Sequence, residues 1–119
     1  MKEAMTKSRL DSLRILKREI TRTKERLDKL KSVQKITETH SEKITLVENA
    51  LKGYLQDAEK EALELITYIE NIQEPKIKEI FMLRYFDGVR SWQKIAFSTG
   101  EYDESYVRRL HNAYLKSHP

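Results

Sequence analysis

Cysteine is absent from this 119-residue chain, and glycine and proline together fill only five positions. Without cysteine there is no disulfide framework, no thiolate metal site and no thiol nucleophile. Soluble domains spend roughly 12% of their residues on glycine and proline, and sheet-rich folds use them at their turns. So few turn formers predict an all-α protein. Long apolar runs are also missing. No stretch approaches the roughly 18 apolar residues of a membrane span, and the opening MKEAMTKSRL has no apolar leader, so a cytoplasmic location is expected. Signatures of catalysis are lacking too: no glycine-rich phosphate loop, no HExxH, and no Ser, His and Asp set carried by rigid elements. No enzyme activity, cofactor, metal or small-molecule substrate is expected.

What the chain does have is charge, unevenly placed. Met1 to Lys35 holds 12 basic and 5 acidic residues, Ile36 to Glu74 holds 3 and 9, and Pro75 to Pro119 holds 8 and 5. Two long stretches of opposite sign therefore precede a mildly basic end. In the first stretch Leu13, Leu16, Ile20, Leu27 and Leu30 form a heptad-like seam with Thr23 in one slot. Leu10, Ile15 and Val33 widen that face. In the second, Leu51, Leu55, Ala58, Ala62, Leu65, Ile69 and Ile72 form another seam. Gly53 interrupts it at a cost of about 1 kcal/mol relative to alanine.

Between the seams Thr39 and Glu42 match a capping box, Ser41 is a competing cap and His40 falls in the loop, so a break is expected there. Residues 1–73 thus read as a long helical hairpin or coiled coil with its basic helix against its acidic one. The same charge pattern permits pairing between chains, and a homodimer through the N-terminal helices is expected.

Residues 74–119 are punctuated differently. Pro75 suits a first helical position, and Asp87-Gly88 ends the helix that follows it. Ser91 caps a short helix in which Trp92, Ile95 and Ala96 share a face, which places Trp92 in the core rather than on a stacking platform. Gly100 ends that helix, and Asp103 caps a third with Val107, Leu110 and Tyr114 facing inward. Helix, turn and helix behind a supporting helix is the arrangement of a helix-turn-helix. At about 100° per residue, Ser105, Arg109, Asn112 and Lys116 lie opposite the inward stripe, flanked by Tyr106 and Arg108. Arginine reads guanine and asparagine reads adenine through paired hydrogen bonds. Arg90, Ser91 and Lys94, at the start of the short helix, are placed to hold phosphate. Arg84 either reaches a phosphate or snorkels from an apolar helix. His111 and His118 lie seven apart, a ligand spacing without a third ligand.

The segments LRYFDG, SWQKIA and DESYVRRLHNAYL carry a resemblance. Glu74 to Leu115 resembles region 4 of bacterial sigma factors. It is more closely similar to small prophage proteins of Gram-positive hosts related to the ArpU-type transcriptional regulators, whose Lys/Glu-rich helical pair is similar to residues 10–72. The resemblance implies a recognition helix at about 104–116 in the major groove of double-stranded DNA and phage or prophage transcription control in a bacterial cytoplasm, with RNA polymerase as one further candidate partner. By position, Glu104, Ser105, Arg108 and Arg109 match groove-facing residues. The turn Gly100 to Asp103 is one residue longer than the family pattern, and Glu101, Asp103 and Glu104 set three acids near the groove-entering end. The alternative functions are an adaptor that uses the same helices for protein contacts, and a DNA-packaging component like a small terminase.

Overall fold

The computed structural model describes residues 3–37 and 42–119. Its elements are α1 Lys7–Asp11, α2 Leu13–Thr37, α3 Glu42–Glu70, α4 Pro75–Phe81, a π-helical turn Met82–Phe86, α5 Trp92–Ser98 and α6 Glu104–Ser117. No strand occurs among the described residues, and no helix among them is long and apolar enough to cross a membrane. The expected capping box at Thr39 and the loop residues His40 and Ser41 lie outside the described residues.

The chain forms two compact units. One takes in the chain up to Arg14 together with Glu64–Pro119, and the other is Ile15–Leu63. The second holds most of α2 and α3, whose sides meet where Gln34 Nε2 donates to Glu48 Oε2 at 3.4 Å. Thr23, the polar slot of the first seam, is buried there, as are Ala58 and Ala62 of the second.

The first unit is built on two adjoining cores. Ile80 of α4, Ile95 and Ala96 of α5 and Val107 of α6 form the apolar one, with Leu83, Val89, Trp92 and Leu110 packed around it. Each fully buried isoleucine or valine contributes roughly 1.5–3 kcal/mol. The other core is aromatic. Phe81 stacks on His111 with ring centroids 4.7 Å apart and meets Tyr114 edge-on at 5.5 Å. Tyr68, from the end of α3, meets Tyr114 edge-on at 5.9 Å, and its hydroxyl donates to the His118 carbonyl at 2.8 Å. Burial, with Tyr114 beside it, pushes the Tyr68 hydroxyl up to about 12. Leu10 and Leu13, before the second unit begins, are fully buried, and Arg9 Nη2 donates to Glu64 Oε2 at 3.1 Å.

The joints follow the sequence. Pro75 occupies the first turn of α4. Gly88 and Gly100 adopt φ of 76° and 79°, a left-handed conformation that costs other L-residues about 1–2 kcal/mol. After α5 the Glu101 N–H reaches the Ala96 carbonyl at 2.8 Å and the Gly100 N–H reaches Phe97 at 3.2 Å. These are the paired bonds of a Schellman cap. After α4 the corresponding closure is one residue wider, Val89 N–H to Leu83 carbonyl at 2.8 Å, because the last turn has relaxed into a π-helix. That extra residue puts both Arg84 and Tyr85 in the interior.

Candidate nucleic-acid interface

α6 begins at Asp103, whose Oδ1 accepts from the Ser105 N–H at 2.9 Å. α5 begins at Ser91, whose Oγ accepts from the Lys94 N–H at 3.3 Å. Such caps stabilise a helix start by roughly 0.5–2 kcal/mol. Both fall where the sequence puts them.

The inward stripe of α6 is Val107, His111 and Tyr114, with Leu110 only half-buried beside it. His111 replaces the expected Leu110 as the central buried residue and is completely enclosed. Both of its ring nitrogens are engaged. Nδ1 faces Asn112 Oδ1 at 2.9 Å, and Nε2 faces the Tyr85 hydroxyl. Asn112 Oδ1 can only accept, so Nδ1 carries the proton and Nε2 accepts from Tyr85. Burial raises the Tyr85 hydroxyl, chiefly by desolvation, which keeps it a donor. Desolvation also lowers His111, more than the Asn112 hydrogen bond raises it, and the positive charges of Lys7 and Arg84 add to the lowering. The ring is therefore held neutral. Its two nitrogens are committed inside the fold, while His118 stacks on Tyr114 with ring centroids 4.1 Å apart. Among the described residues no group of three or more His, Cys, Asp or Glu is placed to hold a metal ion.

The opposite side of α6 carries Ser105, Tyr106, Arg108, Arg109, Asn112 and Lys116, all exposed. Arg109 lies over the Tyr106 ring at 6.0 Å and has no carboxylate partner among the described residues. Arg108 pairs with Glu104 at 2.8 Å one turn back. The three acids near this end are each occupied within the fold. Asp103 caps α6, Glu104 holds Arg108, and Glu101 bonds Lys76, which raises the Lys76 ammonium above its ordinary value mainly through that hydrogen bond.

The start of α5 divides the second predicted set. Lys94 is exposed and has no ion-pair partner among the described residues. Arg90 Nη1 lies 3.5 Å from Asp11 Oδ1, and the Ser91 hydroxyl is engaged as a cap. Arg84 snorkels no further than the interior. It is buried, its Nη1 donates to the Arg90 carbonyl, and its guanidinium sits 4.4 Å from the centre of the Trp92 ring. That face of Trp92 is covered. The hydrogen-bonded chain Tyr85, His111 and Asn112 escaped the sequence reading, although the spacing 107, 111 and 114 is as helical as 107, 110 and 114.

In comparisons with known proteins, no family model, no curated protein and no solved structure matches the chain.

Proposed function

We propose that the chain is a sequence-specific double-stranded DNA-binding protein, a transcriptional regulator of phage or prophage type. α5 and α6 then act as a helix-turn-helix, with α6 in the major groove. The observation that carries this reading is the outer face of α6. Ser105, Arg109, Asn112 and Lys116 are exposed in one row, and Arg109 is held by an aromatic ring rather than neutralised by an acid.

In this reading Arg109 is the principal base reader, donating to guanine O6 and N7, and Ser105 assists. Asn112 Oδ1 already accepts from the His111 Nδ1–H, which orients the amide, and its second lone pair and its amide donors remain for the N6 and N7 groups of adenine. Arg108 reaches phosphate by leaving Glu104, at small cost, because exposed pairs of this kind are worth about 0.3–0.5 kcal/mol. Lys94 and Lys116 hold phosphate, supported by Ser91 and Arg90. The test is a comparison of Arg109→Ala and Lys94→Ala on a selected site and on random duplex. The first should relax sequence preference, and the second should weaken both duplexes alike. Equal effects on the two duplexes from Arg109→Ala would contradict the assignment.

A second reading, docking of the same helices on a protein such as RNA polymerase or a packaging assembly, draws on Phe97 and Tyr102. Both are exposed around the turn between α5 and α6, and both line a shallow concavity there with Gln93 and Ala96.

A further inference from the structure

Core positions normally take apolar side chains, yet α6 places His111 at the centre of its inward stripe with no exposed surface. The ring is held in place. Phe81 stacks on it with the two planes 24° apart, Trp92 meets it edge-on at 5.0 Å, and the Tyr85 hydroxyl engages Nε2. Turning the imidazole over would put carbon atoms where the two nitrogens lie and would leave Tyr85 and Asn112 without their partner.

The second nitrogen leads out of the core. Nδ1 reaches Asn112 Oδ1 at 2.9 Å, and Asn112 is exposed in the outer row with Ser105, Arg109 and Lys116. An enclosed donor thus grips an exposed amide. With the Nδ1 proton against Oδ1, turning the Asn112 amide over would set one N–H against another. The polarity of the amide is therefore fixed, with Oδ1 on the His111 side and Nδ2 as the donor on the other prong.

We infer that Tyr85 and His111 are positioning residues that make Asn112 specific for adenine, an inference that rests on the DNA-binding reading above. Adenine presents a donor, N6, beside an acceptor, N7, and an amide of fixed polarity matches both. Guanine presents acceptors at O6 and N7. An amide free to turn can meet them with Nδ2, whereas the fixed one sets Oδ1 against O6. Tyr85 selects the tautomer, His111 transmits it, and neither touches a base. Their effect on recognition passes through Asn112 alone.

Two measurements test it. Imidazole nitrogen NMR of the full chain without DNA, which needs no variant, should show His111 in one neutral tautomer with its proton on Nδ1. On the duplex recovered by selection, Asn112→Ala marks the base pair that Asn112 reads, and that pair should be adenine with thymine. Replacing it by guanine with cytosine should weaken wild-type binding about tenfold or more. A variant carrying both Tyr85→Phe and His111→Leu removes the two buried polar partners together, a change that is close to neutral for stability. Its loss for the same replacement should be smaller by about fivefold or more, while the guanine preference set by Arg109 persists. Damage to the fold would lower both preferences; loss of positioning lowers the adenine preference alone. Recovery of no duplex would overturn the DNA-binding reading and this inference together. A wild-type proton on Nε2, a base other than adenine at the Asn112 position, or an adenine preference that persists in the folded variant or falls together with the guanine preference would overturn this inference alone.

Discussion

Arg109 and His111 are two residues apart on α6 and do opposite work. Arg109 meets solvent with Tyr106 beneath it, so its five donors are available to an acceptor-rich surface. Truncating it to alanine should cost about 1–3 kcal/mol on a cognate duplex and much less on random duplex, measured by competition titration. His111 is enclosed and neutral, with its pKa below the ordinary 6.5. An unfolded chain takes up that proton first as pH falls. The stability His111 contributes is therefore complete above about pH 6.5 and is lost as pH drops toward its folded value. The urea midpoint should fall between about pH 7.5 and about pH 5.5, and His111→Gln should flatten that slope; an equal slope in both proteins would contradict the neutral, buried assignment. The sequence shows Arg109 plainly, because an outward arginine opposite an apolar stripe is a matter of periodicity. It hides His111, because a polar residue at a core position becomes visible only when its partners, Tyr85 from 26 residues earlier and Asn112, are in place.

The elements are set by their ends. Pro75, Ser91, Gly88, Gly100 and Asp103 each stand where the sequence puts a start or a stop, since capping is chemistry of a few neighbouring residues. Gly53 and Gly100 make a controlled pair. A side chain at either position meets nothing within 4 Å, but only Gly100 has positive φ. Gly100→Ala should therefore destabilise by about 1–2 kcal/mol, and Gly53→Ala, in an exposed helix interior, should stabilise by up to about 1 kcal/mol. Chemical denaturation of both variants checks the signs; destabilisation by Gly53→Ala would mean that α3 is not a helix through that point. The π-helical turn was not legible. Nothing local distinguishes Met82–Phe86 from an ordinary last turn. The turn opens where Arg84 and Tyr85 both enter the interior, Arg84 over Trp92 and Tyr85 against His111.

For the whole molecule, an all-helical fold could be read from scarce glycine and proline, and the exposed row on α6 from spacing. The pairing of distant segments could not. Leu10 and Leu13 look like the first turns of the basic seam, yet they are fully buried in the same unit as α4–α6, where Arg9 holds Glu64 and Asp11 faces Arg90. Their heptad spacing is equally compatible with a seam partner, and charge alone does not separate the two. The acids near α6 present a similar case. Their sequence position sets them against DNA, but each has a partner within the fold, which leaves the outer row basic.

Whether that row reads DNA decides what the protein does. Selection of the full chain against a random duplex library, with the winner titrated against salt, tests this most directly. The prediction is one recovered motif, bound about a thousandfold or more tighter than random duplex, with affinity falling steeply as salt rises and preference at a guanine lost in Arg109→Ala. Recovery of no motif, together with no salt-dependent affinity for any duplex, would contradict it.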